Sequence, residues 1–240
     1  MALLEGRIIV VSGASRGIGY FAALEMARQG AHVIATARTV GGLEELDDAA
    51  KEFGATLTLV PMDVTDYEAI DRLGGEISQR WGKLDGFFGN AALLGDLSPL
   101  GHVDTKSFEK VLAVNVTANW RFIRSFDPLF TLSDSARILL MTSGIVGNYR
   151  PFIGPYAISK AALDALALSY ASECANGTTK VNLYEPGTVR TAMRAKVMPG
   201  EDPAILPHPK ELAPSIAQLL AGENEVNGGT YYFRSKSFKL

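Results

Sequence analysis

The sequence predicts one α/β domain built on a doubly wound parallel sheet of about seven strands, with helices on both faces. Three observations support this prediction. Short runs of β-branched and apolar residues alternate with longer helix-like stretches, as in repeated βαβ units. A glycine-rich turn separates the first strand-like run from the first helix-like run. The chain has 240 residues, of which 47% are hydrophobic, and this is enough to cover both faces of one large sheet.

Seven segments qualify as strands because each is a short run rich in apolar and β-branched residues. They are Arg7–Ser12, His32–Ala37, Thr56–Pro61, Leu84–Gly89, Ala136–Thr142, Lys180–Glu185 and Thr230–Phe233. Six longer segments between them have the length and composition of helices. They are Gly17–Gln29, Gly42–Phe53, Asp66–Trp81, Ser107–Phe130, Tyr156–Ala175 and Glu211–Ala221. Right-handed crossovers between successive parallel strands then give a Rossmann-like sheet.

One long segment, Thr191–Lys210, shows no regular pattern and carries four prolines. A loop of that length in a compact domain is typical of a lid or a binding loop. We therefore expect a single domain over residues 1–240, in which residues 191–210 form a lid over the substrate site.

Composition excludes several classes of function. The net charge of −3 argues against nucleic acid or an anionic membrane as a partner. Cys174 is the only cysteine, so no intramolecular disulfide can form, and we assign no metal ligands. The start of the chain has no cationic segment and only a short apolar run, which predicts a cytoplasmic protein.

The turn after the first strand predicts a dinucleotide site. Residues 12–19 read SGASRGIG, which places Gly13, Gly17 and Gly19 between an apolar strand and a helix start. Glycines there permit a tight turn, and the first amides of the helix are available to a pyrophosphate. A purely structural glycine turn is the alternative, and its position at the first strand–helix junction makes it the weaker one.

Two arginines near this turn predict NADP(H) as the cofactor. NAD-binding domains usually have an acid about 20 residues beyond the glycines. Here the second strand ends with Ala37 and Arg38, and no acid follows. An arginine suits a 2′-phosphate because its guanidinium can bind two oxygens at once. Arg16 of the glycine turn can bind the same phosphate, although either arginine alone can equally be a solvated surface charge.

Ser143, Tyr156 and Lys160 form a candidate proton-transfer site. Tyr156 and Lys160 are four residues apart, so on a helix they share one face. A nearby ammonium group lowers the pKa of a phenol, which makes the phenol useful for proton transfer. The pair alone is weak evidence, and it gains weight from the motifs around it.

Taken in order, these motifs resemble those of the classical short-chain dehydrogenases/reductases, and the resemblance covers nearly the whole chain. It implies that Ser15 and Ile18 of the glycine turn also bind the cofactor, and that Asp63 and Val64, after the third strand, contact its adenine. Asn90 in GNAA resembles the asparagine of the family's NAG motif.

The remaining motifs extend the resemblance. Asn115 in VLAVNV is similar to the family's catalytic asparagine. The segment EPGTVRT resembles the part that holds the nicotinamide. The residues implied there are Pro186, Gly187, Val189 and Thr191. The segments NAALLGDLSPL and GTVRTAMRAKVMPGEDP also resemble a bacterial subgroup called YciK-like.

The resemblance implies an oxidoreductase that transfers a hydride between NADP(H) and a carbonyl or alcohol substrate. Tyr156 would donate or accept the proton, Ser143 would hydrogen-bond the substrate oxygen, and Lys160 would lower the pKa of Tyr156 and bind the nicotinamide ribose. Asn115 would hold a water molecule that connects Lys160 to solvent. Each role meets the need of general acid–base catalysis for a positioned proton donor.

One departure from the family pattern concerns the end of the fourth strand. The family commonly has Asn-Asn-Ala-Gly where this chain has Gly89, Asn90, Ala91 and Ala92. We expect Gly89 to loosen the strand edge, because it lacks the amide side chain. We expect Ala92 to be strained if its φ has to be positive.

The substrate is the least determined part of the prediction. Candidate walls come from residues 93–100, 145–153 and 191–210, and their apolar side chains favour an apolar ketone or aldehyde. The candidates are Leu93, Leu94, Leu97, Ile145, Phe152, Ile153, Met193, Met198, Ile205 and Leu206. Arg150, Arg194, Lys196 and His208 instead suit a carboxylate or an acyl carrier, which makes a β-ketoacyl-carrier reductase an alternative. An epimerase or dehydratase, and a non-catalytic NADP(H)-sensing scaffold, are further alternatives.

The helix at Tyr156–Ala175 also predicts self-association. It is apolar on nearly all sides and rich in alanine, so it has to be buried on most of its surface. Members of the resembled family commonly pair this helix and the preceding one across two-fold axes, which implies a homodimer or homotetramer. Coverage by the chain's own sheet is the alternative.

Overall fold

The computed structural model describes residues 2–239. Its strands are β1 (Ile8–Ser12), β2 (His32–Ala37), β3 (Thr58–Pro61), β4 (Gly86–Gly89), β5 (Arg137–Met141), β6 (Lys180–Glu185), β7 (Thr230–Tyr232) and β8 (Ser237–Lys239). Its α-helices are α1 (Gly17–Arg28), α2 (Val40–Lys51), α3 (Tyr67–Trp81), α4 (Thr105–Leu112), α5 (Ala118–Thr131), α6 (Gly154–Glu173), α7 (Ala192–Val197) and α8 (Pro209–Leu219). A π-helical turn joins α4 to α5.

These strands form one sheet in the order β3-β2-β1-β4-β5-β6-β7-β8. The seven predicted strands pair in parallel, and β8 runs antiparallel to β7. The predicted Rossmann-like, doubly wound fold is therefore confirmed. The sheet has one strand more than predicted, namely β8. The sequence did not indicate this strand, because it has only three residues and two of them are polar.

Alternate residues along the strands face two separate cores. On one face of the sheet, Ile9 and Val11 of β1 pack with α1, α2 and α8. On the other face, Ile8 and Val10 pack with α3, α5 and α6. Because both faces are covered, every residue of β1 is buried. This explains why its sequence is a continuous apolar run instead of an alternating one.

The order of the strands sets the place of the functional site. The chain builds β1, β2 and β3 toward one edge, then returns to place β4 on the other side of β1. The loops after β1 and β4 therefore leave the sheet in opposite directions. In doubly wound sheets a crevice forms at the carboxyl ends of the strands at such a point, and the glycine turn follows β1 at this position.

The helix predicted over Ser107–Phe130 is present, but it is not a regular α-helix throughout. α4 ends at Leu112, and the π-helical turn over Ala113–Thr117 separates it from α5. The sequence between them contains no glycine or proline, so nothing in its composition indicates a break. π-Helical turns are rare in proteins, and those that do occur are frequently found at functional sites. This one contains Asn115.

The segment Thr191–Lys210 is more ordered than predicted. It contains α7 and a short 3₁₀ turn at Pro203–Ile205. The guanidinium of Arg194 donates to both carboxylate oxygens of Glu201, at 2.5 and 2.6 Å, and so ties α7 to the loop that follows. That this segment acts as a lid stays a prediction.

Helices α5 and α6 leave large apolar side chains exposed. Trp120 on α5 is 45% exposed, and Ile158 and Leu168 on α6 are 40% and 42% exposed. The chain's own sheet thus covers only part of α6, and self-association stays a prediction. No helix within residues 2–239 combines the length and the apolar composition that a membrane crossing requires.

We expect the Ile158→Glu/Leu168→Glu double variant to be a monomer in light-scattering measurements on a size-exclusion column, and the wild type to be a dimer or tetramer, because two charges would be placed in an apolar contact. Ile205→Glu is the matched control, since Ile205 is 73% exposed but belongs to the 3₁₀ turn and not to α6. A monomeric wild type would refute the prediction.

Candidate active site

A cleft of about 990 Å³ opens at the carboxyl ends of the strands, beside the β1–β4 switch point. It brings most of the predicted site residues together. Those that line it are Gly13, Ser15, Arg16, Gly17, Ile18, Arg38, Asp63, Val64, Asn90, Ser143, Tyr156, Lys160, Pro186, Gly187, Val189 and Thr191. Two predicted residues do not line it: Gly19 packs behind the turn and Asn115 is fully buried.

The glycine turn fits a phosphate group. Gly13 and Gly17 have φ values of 70° and 61°, which residues with side chains rarely adopt. A Cβ atom on Gly19 would lie 2.3 Å from the Gly13 carbonyl oxygen, so no side chain fits there. No side chain caps the start of α1, and its first amides therefore point into the cleft without an intrahelical partner. These are the donors that a pyrophosphate needs.

Ser12 and Asn90 join the glycine turn to the end of β4. The Ser12 hydroxyl accepts hydrogen bonds from the backbone N–H groups of Asn90 (3.0 Å) and Ala91 (3.1 Å). In return, the Asn90 amide donates to the carbonyls of Ser12 (3.0 Å) and Gly13 (3.2 Å). Asn90 thus shapes the turn through contacts within the protein. The sequence reasoning missed Ser12, which reads as an ordinary strand end.

The expected weakness at Gly89 and Ala92 is not present. A Cβ atom on Gly89 would lie 2.5 Å from both Asn119 Oδ1 and Leu140 Cδ2, so these two side chains fill the space. Asn119 is in turn held by a 2.9 Å hydrogen bond from its amide to the Asn115 carbonyl. Among residues 2–239 only Phe152 and Lys236 have positive φ without being glycine, and Ala92 is therefore unstrained.

Arg38 and Asp63 face each other at one end of the cleft. Their charged groups are 3.8 Å apart, and 65% of the Arg38 side chain is exposed. Burial acts to raise the pKa of Asp63, but the Thr65 amide and hydroxyl and the Arg38 charge outweigh it, so this pKa lies below its usual value. Because its side chain is mostly exposed, Arg38 can turn toward a ligand. The Asp63 carboxylate stays in place, since the Thr65 amide and hydroxyl hold it. Arg16 lines the same cleft.

Tyr156 and Lys160 lie at the other end, on the first turns of α6. Burial raises the pKa of Tyr156 to about 12, the Ser143 hydroxyl acts against this, and the Glu185 carboxylate adds to it. Burial lowers the pKa of Lys160 to about 8, and the Asp164 charge opposes the change. Lys160 Nζ donates to the Met141 carbonyl at 2.6 Å and is 5.7 Å from the centre of the Tyr156 ring.

Burial is thus the largest influence on the Tyr156 pKa in the protein by itself, and a lowering of this pKa by Lys160 stays a prediction. Asp164, one turn further along α6, is a half-buried acid that the sequence reasoning missed. Its carboxylate accepts a hydrogen bond from Thr142.

Asn115 uses its side chain to hold the walls of the site. Its Oδ1 accepts from the Leu93 N–H (2.8 Å), while its Nδ2 donates to the Leu93 carbonyl (2.9 Å) and to the Ser159 hydroxyl (2.8 Å). Ser159 precedes Lys160 on α6. The π-helical turn thereby connects the loop after β4 to the helix that carries Tyr156. A water molecule held by Asn115 stays a prediction.

The segment after β6 borders both the glycine turn and the catalytic helix. Glu185 ends β6, and its Oε1 accepts hydrogen bonds from the N–H groups of Gly144 and Gly187. Thr191 caps α7 by accepting from the Arg194 N–H at 3.2 Å. A Cβ atom on Gly17 would be 4.0 Å from the Thr191 methyl group. Sequence reasoning placed Glu185 in a strand and did not identify it as a site residue.

Apolar side chains form the wall next to Tyr156. Leu94, Ile145, Ile153 and Ala157 make a small buried cluster, and Tyr156 and Met193 pack against it. The predicted wall residues that do line the cleft are Leu93, Leu94, Ile145, Ile153 and Met193. The others lie outside it; these are Leu97, Phe152, Met198, Ile205 and Leu206. They sit on outward-facing parts of the same loops, which sequence cannot distinguish.

Comparisons with known proteins agree with this geometry. A family model described as short chain dehydrogenase matches residues 7–202. The chain is 33% identical over 230 residues to YciK of Escherichia coli K12, described as an uncharacterized oxidoreductase, and the match covers 95% of this chain and 91% of YciK. A short chain dehydrogenase structure from Pseudomonas syringae has a TM-score of 0.93 at 31% identity, with 96% of each chain covered. Another, from Escherichia coli CFT073 in complex with NADPH, has a TM-score of 0.92 at 33% identity and covers 96% of this chain and 98% of that one.

Proposed function

The chain belongs to the short-chain dehydrogenase family, and we propose that it is an NADP(H)-dependent oxidoreductase that interconverts a carbonyl and an alcohol, with Tyr156 as the proton donor and acceptor. The similarity to YciK confirms the predicted subgroup resemblance. One observation carries the proposal: Ser143, Tyr156 and Lys160 lie in the same cleft as the glycine turn. A proton donor and a dinucleotide site therefore share one cavity.

The residues of the cleft divide the chemistry between them. When bound, NADPH would supply a hydride to the carbonyl carbon. Tyr156 then donates its proton to the carbonyl oxygen, and the Ser143 hydroxyl hydrogen-bonds that oxygen. A pKa of about 12 keeps Tyr156 protonated at neutral pH, as a proton donor has to be. Lys160 binds the nicotinamide ribose, and the apolar cluster around Ile145 and Ile153 excludes water.

NADP(H) is favoured over NAD(H) by the charges at the far end of the cleft. Arg16 and Arg38 line it there, and the similar protein from Escherichia coli CFT073 was solved with NADPH. The guanidinium of Arg38 is exposed and has only a 3.8 Å ion pair to Asp63, so it can reorient toward a 2′-phosphate at little cost.

We expect Arg38→Ala to lose NADPH affinity by about 10- to 100-fold while NADH affinity changes little, because a charge-assisted pair to the 2′-phosphate is lost. Dissociation constants measured by nucleotide fluorescence would show it. Arg80→Ala, an exposed arginine on α3, is the control. Equal losses for NADPH and NADH would contradict the assignment of Arg38 to the phosphate.

The substrate class that fits the wall is an apolar ketone or aldehyde. The cluster beside Tyr156 is aliphatic, and two of the basic residues considered for a carrier-bound substrate are already engaged. Arg194 is paired with Glu201, and His208 accepts the Lys210 N–H at 3.2 Å as the cap of α8. These contacts disfavour a β-ketoacyl-carrier reductase.

The direct test of the proposed function follows NADPH absorbance against a library of ketones, aldehydes and quinones. Turnover of apolar carbonyl compounds is the expected result. Tight NADPH binding without turnover of any member would favour the NADP(H)-sensing scaffold instead. Activity restricted to carrier-bound substrates, and lost in Arg150→Ala, would favour the carrier reductase.

A further inference from the structure

Glu185 is a buried carboxylate that the proposed chemistry does not use. It is 9% exposed and lines the cleft. Its Oε1 accepts hydrogen bonds from the backbone N–H groups of Gly144 (3.0 Å) and Gly187 (2.9 Å). Since both partners are donors, Oε1 is an acceptor and carries no proton. Oε2 has no hydrogen-bond partner among residues 2–239.

The two amides place this carboxylate between the two halves of the site. Gly144 follows Ser143, next to the proton donor, and Gly187 belongs to the segment expected to hold the nicotinamide. A Cβ atom on Gly144 would lie 3.0 Å from Glu185 Oε1, so a glycine there leaves room for the carboxylate. The charge also reaches the proton donor, since Glu185 adds to the effect of burial in raising the pKa of Tyr156.

The sign of this charge is unusual for its surroundings. Among the described residues, the cations that line the cleft are Arg16, Arg38, Lys110, Arg150, Lys160, Arg190, Arg194 and Arg234. The acids that line it are Asp63 and Glu185. Asp63 is paired with Arg38, whereas Glu185 bonds only to backbone amides. A cationic cleft suits the phosphates of a dinucleotide, and a buried carboxylate opposes a polyanion unless it faces a positive group.

NADP(H) has one group that becomes positive. Its nicotinamide ring carries a full positive charge when oxidised and none when reduced, while its phosphates have the same charge in both states. A carboxylate at the nicotinamide end therefore acts differently on the two redox forms. A charge at the phosphate end acts on both alike.

Building on the proposed function, we propose that Glu185 is the charge partner of the nicotinamide ring and sets the preference of this protein for NADP⁺ relative to NADPH. A neutral residue at this position would bind the oxidised form less tightly and the reduced form at least as well. The oxidised form is also what carbonyl reduction leaves behind, so the same contact favours that direction.

Calorimetric titration without substrate tests the proposal. Dissociation constants for NADP⁺ and NADPH are measured for the wild type and for four variants, which are Glu185→Gln, Glu185→Ala, Glu185→Asp and Asp63→Asn. Glu185→Gln removes the charge and keeps the shape, and we expect its Kd(NADP⁺)/Kd(NADPH) ratio to rise about tenfold, the size expected for one partly screened charge. Glu185→Asp keeps the charge and should retain the wild-type ratio. Asp63→Asn removes the other acid of the cleft and should also leave the ratio unchanged.

Each remaining outcome overturns the inference. If the Kd(NADP⁺)/Kd(NADPH) ratio of Glu185→Gln lies within twofold of the wild-type ratio, the charge of Glu185 does not set the preference. If Glu185→Gln and Glu185→Ala lose both cofactor forms equally, the carboxylate only holds the backbone of Gly144 and Gly187. If Glu185→Asp changes the ratio as much as Glu185→Gln, shape and not charge is responsible. Failure of the proposed function would be seen separately: the wild type would then bind neither NADP⁺ nor NADPH.

Discussion

Replacement of Tyr156 by phenylalanine is expected to lower the turnover number of carbonyl reduction by at least about a hundredfold, the smaller end of what a general acid contributes. The substitution removes the phenolic hydroxyl and keeps the ring. The ring packs against the cluster of Leu94, Ile145 and Ile153, so the wall of the site stays in place. NADPH affinity should therefore remain within about twofold of wild type, well under 1 kcal/mol.

Stopped-flow turnover combined with fluorescence titration of NADPH separates these two effects. Tyr149→Phe is the matched control, because Tyr149 is 68% exposed and lies in a second, apolar hollow outside the cleft. It should behave as the wild type in both measurements. Retained turnover in Tyr156→Phe would remove the proposed proton donor, whereas loss of NADPH binding would show that the hydroxyl acts on the cofactor.

The second large effect is expected at the opposite end of the sheet, where Asp85→Ala should reduce the free energy of unfolding by about 3–5 kcal/mol, the range for breaking a buried charge network. Asp85 is 2% exposed. Its carboxylate accepts hydrogen bonds from the Ile8 N–H (3.0 Å), Lys83 Nζ (2.9 Å) and the Ser133 hydroxyl (2.6 Å). The Ile8 N–H and the Ser133 hydroxyl belong to buried residues and lose their partner in the variant, and a buried donor without a partner is destabilising.

Urea unfolding of the wild type, Asp85→Ala and Asp134→Ala measures the change in the free energy of unfolding. Asp134 is an exposed acid one position beyond Ser133, and its removal should change the free energy of unfolding by no more than about 0.5 kcal/mol. Burial acts to raise the pKa of Asp85, but its hydrogen bonds from Ser133, Ile8 and Lys83 outweigh this and lower it overall.

The pH dependence of this contribution follows from the lowered pKa. The stabilisation from the ionised carboxylate is fully present above about pH 4, the ordinary pKa of an aspartate in the unfolded chain. It is lost as the pH falls through the lower, folded-state value. The gap between wild type and Asp85→Ala should therefore narrow below about pH 4. A gap that is unchanged at pH 3 would argue against an ionised Asp85.

Much of the fold could be predicted because burial on both faces imposes a simple pattern. The predicted bounds of β2 (His32–Ala37) and β6 (Lys180–Glu185) agree with the structure to the residue. The doubly wound order then requires the ends of β1, β5 and β6 to meet at one edge. This is why Gly13, Ser143 and Pro186 could be assigned to one site.

Features that depend on long-range contacts could not be predicted. Glu185 reads as a charged residue at a strand end, and only the fold shows that two amides hold it inside the cleft. Asn119 compensates for Gly89 thirty residues earlier, and no local pattern links the two. The pKa order of Tyr156 and Lys160 is likewise set by burial, which the spacing of the two residues does not reveal.

The short antiparallel strand β8 affects how the molecule behaves at high concentration. A parallel sheet that ended at β7 would present the backbone of Thr230–Tyr232 as an open template for another chain. β8 covers it with only three residues, and Lys236 and Lys239 stand at its ends. At the other edge, β3 has four residues and finishes with Pro61, which has no N–H to donate. Short, charged or proline-ended edges resist strand addition, so the sheet is protected at both sides against growth into aggregates.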